Sequence, residues 1–166
     1  AIVGAISDFV ALTAQGVITK NLLPPEMSLQ PANNYAVRHD AVGGDNDALI
    51  EGYLRGWAKG AAAGLVDLDA TRAMAMKADP ENWVNEELGT IFLKAAQGLH
   101  TPAGDVYGDL RADIWEAVIA EMSNVGLIEG EVSTDEILNR AYLERINSFD
   151  QAEVEADVAA WKAENM

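Results

Sequence analysis

The chain has 166 residues and a mass of 17.8 kDa, with 27 Asp and Glu against 11 Lys and Arg, a net charge of −16 and a pI of about 4.2. Such a surface repels nucleic-acid phosphates and anionic lipid headgroups, so both are discounted as partners. There is no cysteine, which excludes disulfides, thiolate metal sites and cysteine nucleophiles. Hydrophobic residues make up 49% and charged residues 23%, an ordinary globular balance. No apolar run approaches the roughly 20 residues of a membrane span, so no membrane insertion is expected. The first residues, "AIVGAISDFVAL", lack both an initiator Met and a basic leader region. The expectation is that a leader, a domain or both has been removed upstream.

In chain order, "AIVGAI" is apolar and fits a short buried strand. Ser7 or Asp8 can cap a helix through "DFVALTAQ", with Gly16 at its end in the position that favours a left-handed backbone. "VITKNLL" reads as a second strand, and Pro24, Pro25 and Pro31 force an irregular stretch after it. In "NNYAVRHD" the alternation sets Asn33, Tyr35, Val37 and His39 against Asn34, Ala36 and Arg38, as in a third strand. Strand, helix, strand, loop, strand is the grammar of an α/β fold.

From "GGDND" onward the pattern is helical. Asp45 or Asp47 opens a helix with Leu49, Ile50, Tyr53, Leu54, Trp57 and Ala61 on one stripe, and "DLDATRAMAMK" forms a shorter one. "DPENWVNEELGTIFLKAAQG" reads as a third, capped by Asp79, with Pro80 in the first helical position and Gly98 past the end. "DLRADIWEAVIAEMSNVG" is expected to bury Ile114, Trp115, Val118, Ile119 and Met122, and to close at Gly126. "STDEILNRAYLERI" begins with a capping box, Ser133 with Glu136. The last helix starts at Asp150 and seats Val154, Val158 and Trp161 on one face.

Few residues carry recognisable chemistry. His39 and His100 are far apart, and neither has a second imidazole or a carboxylate at metal-ligand spacing. "DLDAT" starts like a calcium loop, but Arg72 occupies its glycine position and Ala78 its glutamate position. "GGDND" is a turn and helix cap, without the lysine of a phosphate cradle. No metal, cofactor or catalytic set is expected. Trp57, Trp115 and Trp161 lie on apolar stripes and read as core; Trp83, in a first helical turn, fits core or ligand. Tyr35 differs, because it stands beside Asn33 and Asn34 next to a proline-rich loop. An aromatic wall with a few fixed amides suits a pocket for a small polar solute, although a turn leading into a half-buried strand accounts for the same residues.

Several segments together give the chain a family likeness: "AIVGAISDFVALTAQG", "NNYAVRHDAV", "DNDALIEGYLRGWAKGAAAGLVDLDATRAMAMK" and "AVIAEMSNVGLIEGEVSTDEILNRAYLERINSFDQAEVEADVAAW". They resemble the C-terminal half of substrate-binding proteins of nitrate/sulfonate/taurine-type ABC importers, a group that includes carriers of thiamine-pyrimidine precursors. The resemblance spans nearly all 166 residues, through degenerate motifs. It implies an α/β, periplasmic-binding type II fragment, helix-rich, with a few short strands near its N-terminus. Residues 1–40 would end the second lobe and form the crossover strand, and 41–166 would be a helical part packing on a first lobe whose front half is absent. The implied function is capture of a small polar molecule (a sulfonate, nitrate or a pyrimidine) in an interlobe cleft, outside the cytoplasm, and delivery to an ABC permease in the membrane. No enzyme activity or cofactor is implied. Asn33 and Tyr35 fall where the family often places ligand contacts. Ser7 and Asp8 lie near its cleft-facing turn, where the common tryptophan is missing here, and Asn34 adjoins the set.

Two other classes stand beside this one. Pyrimidine synthases of thiamine biosynthesis resemble the same fold, but they rely on a cysteine-rich segment that this chain lacks. A helical interaction module without a small ligand would leave the proline loop and the three strands unexplained.

Overall fold

A computed structural model describes residues 6–22, 24, 34–102 and 106–166. Among them are eight α-helices: α1 Ile6–Ala14, α2 Asp47–Val66, α3 Leu68–Ala78, α4 Glu86–His100, α5 Ala112–Asn124, α6 Thr134–Ile137, α7 Leu143–Asn147 and α8 Gln151–Asn165. Short 3-10 turns occupy His39–Ala41 and Pro80–Trp83.

No β-strand occurs among the described residues, so the expected α/β type II binding-protein fold is overturned in favour of an all-α one. The first expected strand lies mostly outside the described residues. Residues 17–22 of the second are irregular, with Ile18 97% exposed. Residues 34–38 of the third are irregular and lead into a 3-10 turn. The physical reason is that a strand is completed by its neighbour. The alternation of "NYAVR" meets a helix instead, through Tyr35 against Tyr53 and Trp57 of α2.

Helix boundaries follow local chemistry. Asp67 accepts from the Ala70 N–H at 2.9 Å to start α3, Asn85 from Leu88 at 3.0 Å to start α4, and Asp150 from Ala152 at 2.8 Å to start α8. The Ser133 N–H donates to the Glu136 carboxylate at 2.8 Å, as the expected capping box requires. Gly16 (φ +81°) and Gly126 (φ +74°) end α1 and α5 with the paired bonds of a Schellman turn, Val17 to Leu12 and Leu127 to Met122.

Other boundaries depart from expectation. Ser7 and Asp8 fall inside the first turn of α1, not before it. Asp79 and Pro80 start a 3-10 turn rather than α4, and α4 runs through Gly98 to His100. The helix expected over 133–146 breaks between Ile137 and Leu143.

The core sits where α2 crosses α8. Ala58 and Ala62, four residues apart on α2, are fully buried, and Val154 and Val158 of α8 are 5% and 4% exposed. Small residues on one helix and β-branched ones at the same spacing on the other allow close ridge-into-groove packing. Tyr107, Trp57 and Phe149 cover this seam, and α7 closes the other side of α2 through Ile146. α1 packs on α4. The stripe of α5 is only half-buried: none of its residues is fully buried and Met122 is 42% exposed, against the expected burial.

Candidate functional site

A groove of about 810 Å³ opens between the 34–42 segment, the first half of α2 and the 135–142 segment, with Leu110 and Trp115 at one end. α2 supplies an apolar floor, Leu49, Ile50, Tyr53 and Leu54, because its stripe continues N-terminally beyond the α8 contact. Tyr35 meets Tyr53 edge to face at 5.4 Å and Trp57 at 6.1 Å, so the groove begins on a layer of three aromatic rings. Burial pushes the Tyr35 phenol above its ordinary pKa, and the Tyr53 hydroxyl beside it pushes the same way. Tyr35 therefore stays neutral at physiological pH, with a hydroxyl able to donate and accept.

A clasp holds one end of the groove. The Tyr142 hydroxyl donates to Asp47 Oδ1 at 2.5 Å, Arg145 Nη1 to Asp47 Oδ2 at 3.1 Å, and the Gly43 N–H to Asp47 Oδ1 at 3.0 Å. Arg145 also pairs with Glu51 at 2.9 Å and lies over the Tyr142 ring at 4.8 Å. Arg55 extends the network, donating to the Arg145 carbonyl at 2.6 Å and to Ser148 Oγ at 3.0 Å. The Tyr142 hydroxyl, then the Arg145 guanidinium, then the Gly43 N–H hold the Asp47 carboxyl below its usual range. The clasp spans 95 residues of sequence and fixes the 135–142 bank against the start of α2.

A smaller hollow of about 270 Å³ lies between α2, α3 and α4. His100 meets Trp57 there at 5.7 Å, and Gln97 donates to the Gly64 carbonyl at 2.7 Å. His39 lines the large groove, so the two imidazoles stand at different hollows. No group of three or more Asp, Glu or His able to hold a metal exists among the described residues. No helix among them is long and apolar enough to cross a membrane. What the groove offers is non-covalent recognition: flat apolar walls with amides, an imidazole and a guanidinium at the edges.

Of the residues singled out in the sequence, Asn34 and Tyr35 both line the groove. Asn33 lies outside the described residues. Ser7 and Asp8 sit in the first turn of α1, which packs on α4. The opposite bank, with Asn139, Arg140 and Tyr142, has no counterpart among the expected site residues. It is about 100 residues away in sequence, and no local pattern signals the pairing. Tyr53 and Trp115 belong to apolar stripes in the sequence, and both line the groove.

No family model, curated protein or solved structure matches the chain.

Proposed function

We propose that the chain is a solute-binding component of an ABC importer, working outside the cytoplasm and holding a small polar molecule in the groove before passing it to a membrane permease. It acts by reversible binding and needs no cofactor. The observation that carries this reading is a cluster of exposed apolar side chains in one concavity. Leu49, Tyr53, Tyr35, Val37 and Ile137 are 72%, 62%, 51%, 47% and 46% exposed, and all five line the concavity that also holds Asn34. Large apolar side chains scattered singly over a surface need no explanation, but gathered in a hollow with a few polar groups they mark a ligand site.

Thermal unfolding in the presence of nitrate, taurine, benzoate and a neutral aminopyrimidine tests it. A bound ligand at one hundred times its dissociation constant stabilises the fold by about 2.7 kcal/mol. Tyr35→Ala and Asn34→Ala are expected to abolish the shift while keeping the helical circular dichroism of the parent. A panel without any shift, or unchanged affinity in both variants, rejects the reading and leaves a helical interaction module in its place.

A further inference from the structure

Resting on the reading of the groove as a solute site, we infer that its solute is a flat aromatic carboxylate and that Arg140 receives the carboxylate group.

Arg140 stands apart from the other arginines. Arg38 pairs with Asp40, Arg55 with Glu51, Arg72 with Asp69, Arg111 with Asp113, and Arg145 with Asp47 and Glu51. Arg140 has no carboxylate partner among the described residues, in a chain with 27 acids for 11 bases. The break between α6 and α7 explains this. On a continuous helix Glu136 and Glu144 would lie four residues before and after Arg140, at ion-pairing distance. The chain instead leaves helical geometry from Leu138, and Glu136 turns back to the Ser133 N–H and hydroxyl at 2.8 and 3.0 Å. Arg140 is left unpaired among the residues that line the groove.

The neighbouring polar groups are mixed, and the carboxylates Asp135 and Glu136 line the groove beside Arg140. Asn139 Oδ1 accepts from the Ala141 N–H at 2.9 Å, which leaves the Asn139 amide NH₂ as its remaining polar function. Tyr142 commits its proton to Asp47. Asn34 and His39 line the facing bank. Asp135 is the lining carboxylate with no partner among the described residues, and it is the natural competitor for Arg140. A fork of parallel N–H groups fits a carboxylate bidentately. The net charge of −16 does not forbid an anion here, because salt screens distant charges beyond about 8 Å while contact pairing persists.

The rest of the solute follows from the walls. A bare inorganic anion would occupy a small part of about 810 Å³ and leave the leucines and tyrosines wet. An aromatic ring suits the apolar lining of Leu49, Leu54, Tyr35 and Tyr53.

Benzoate and its neutral isostere benzamide are the probes, titrated by calorimetry and by tryptophan fluorescence. The parent chain is expected to bind benzoate at least about ten-fold more tightly than benzamide, as charge-assisted hydrogen bonds require. Arg140→Ala should erase that preference and leave benzamide affinity unchanged. Arg140→Lys should keep part of it, and Asp135→Asn should tighten benzoate. Arg140 is exposed, so these variants retain the fold, with circular dichroism as the check. Equal affinity for the two probes in the parent, or a preference that survives Arg140→Ala, overturns the assignment. A neutral pyrimidine that binds through Tyr35 while benzoate does not sinks the carboxylate and preserves the solute site; no binding by any probe sinks both.

Discussion

Gly56 and Gly89 are both helical glycines, but a methyl group at each meets different surroundings. At Gly56, on the exposed side of α2, an added Cβ finds nothing within 4 Å. Replacing it by Ala removes backbone freedom from the unfolded chain, and a gain of about 0.5–1 kcal/mol is expected. At Gly89 the Cβ would come to 2.6 Å from Trp83 Cε3. The same propensity gain is then opposed by overpacking of about 1–3 kcal/mol, and the balance is a net loss. Urea unfolding of the two variants should move the midpoints in opposite directions; Gly89→Ala stabilising as much as Gly56→Ala would sink the contact between Trp83 and α4. At this scale the sequence was partly legible. Tyr35 and Asn34 stood out because an aromatic beside amides after a proline loop is unusual in a helical chain, and both line the groove. Trp83 fitted two roles because its place depends on a glycine six residues on, and Arg140 was silent because its pairing is decided by a helix break.

Among the elements, the joint between α2 and α7 is the one whose strength should vary with pH. The carboxyl of Asp47 is held below its ordinary range by the Tyr142 hydroxyl and the Arg145 guanidinium. A carboxyl lowered on folding stabilises the fold above its unfolded pKa, about 3.9, and that stabilisation is lost as pH falls through the lower, folded value. Asp47→Asn should therefore be less stable than the parent at pH 7, with the gap closing below about pH 4. Urea titrations at pH 7, 4 and 3 measure it, and a gap of constant size would mean that the clasp acts through shape rather than charge. Element starts were legible where a side chain caps its own helix, as at Ser133 and Asp150. They misled where the deciding partner is remote. "VITKNLL" and "NNYAVRHD" have strand-like composition, but no second strand meets them among the described residues. The α6–α7 break was equally hidden: Tyr142 and Arg145 are drawn to Asp47 across 95 and 98 positions, a pull that no local window contains.

For the whole molecule, charge and a thin core set the balance. Among the described residues, Ala58, Ala62 and Ala70 are fully buried, while Leu127 and Val84 remain 74% and 89% exposed. Apolar burial therefore leaves a modest margin against the self-repulsion of a net charge of −16. Salt acts on attraction and repulsion at once. It weakens the ion pairs, but their side chains are 23–84% exposed, and such pairs are worth about 0–1 kcal/mol each. It also screens the repulsion among unpaired acids, which acts over about 30 Å at 0.01 M and about 3 Å at 1 M. Repulsion outweighs pairing because most of the 27 acids have no cation to meet. The melting temperature should rise by several degrees between 10 and 500 mM sodium chloride at pH 7. Near the isoelectric point of about 4.2 the repulsion vanishes, so the same salt step should leave the melting temperature flat or lower it. A salt response of equal size at both pH values would trace the effect to solvent exclusion rather than charge, and a fall at pH 7 would mean that the ion pairs, above all the Asp47–Arg145–Glu51 clasp, outweigh the repulsion.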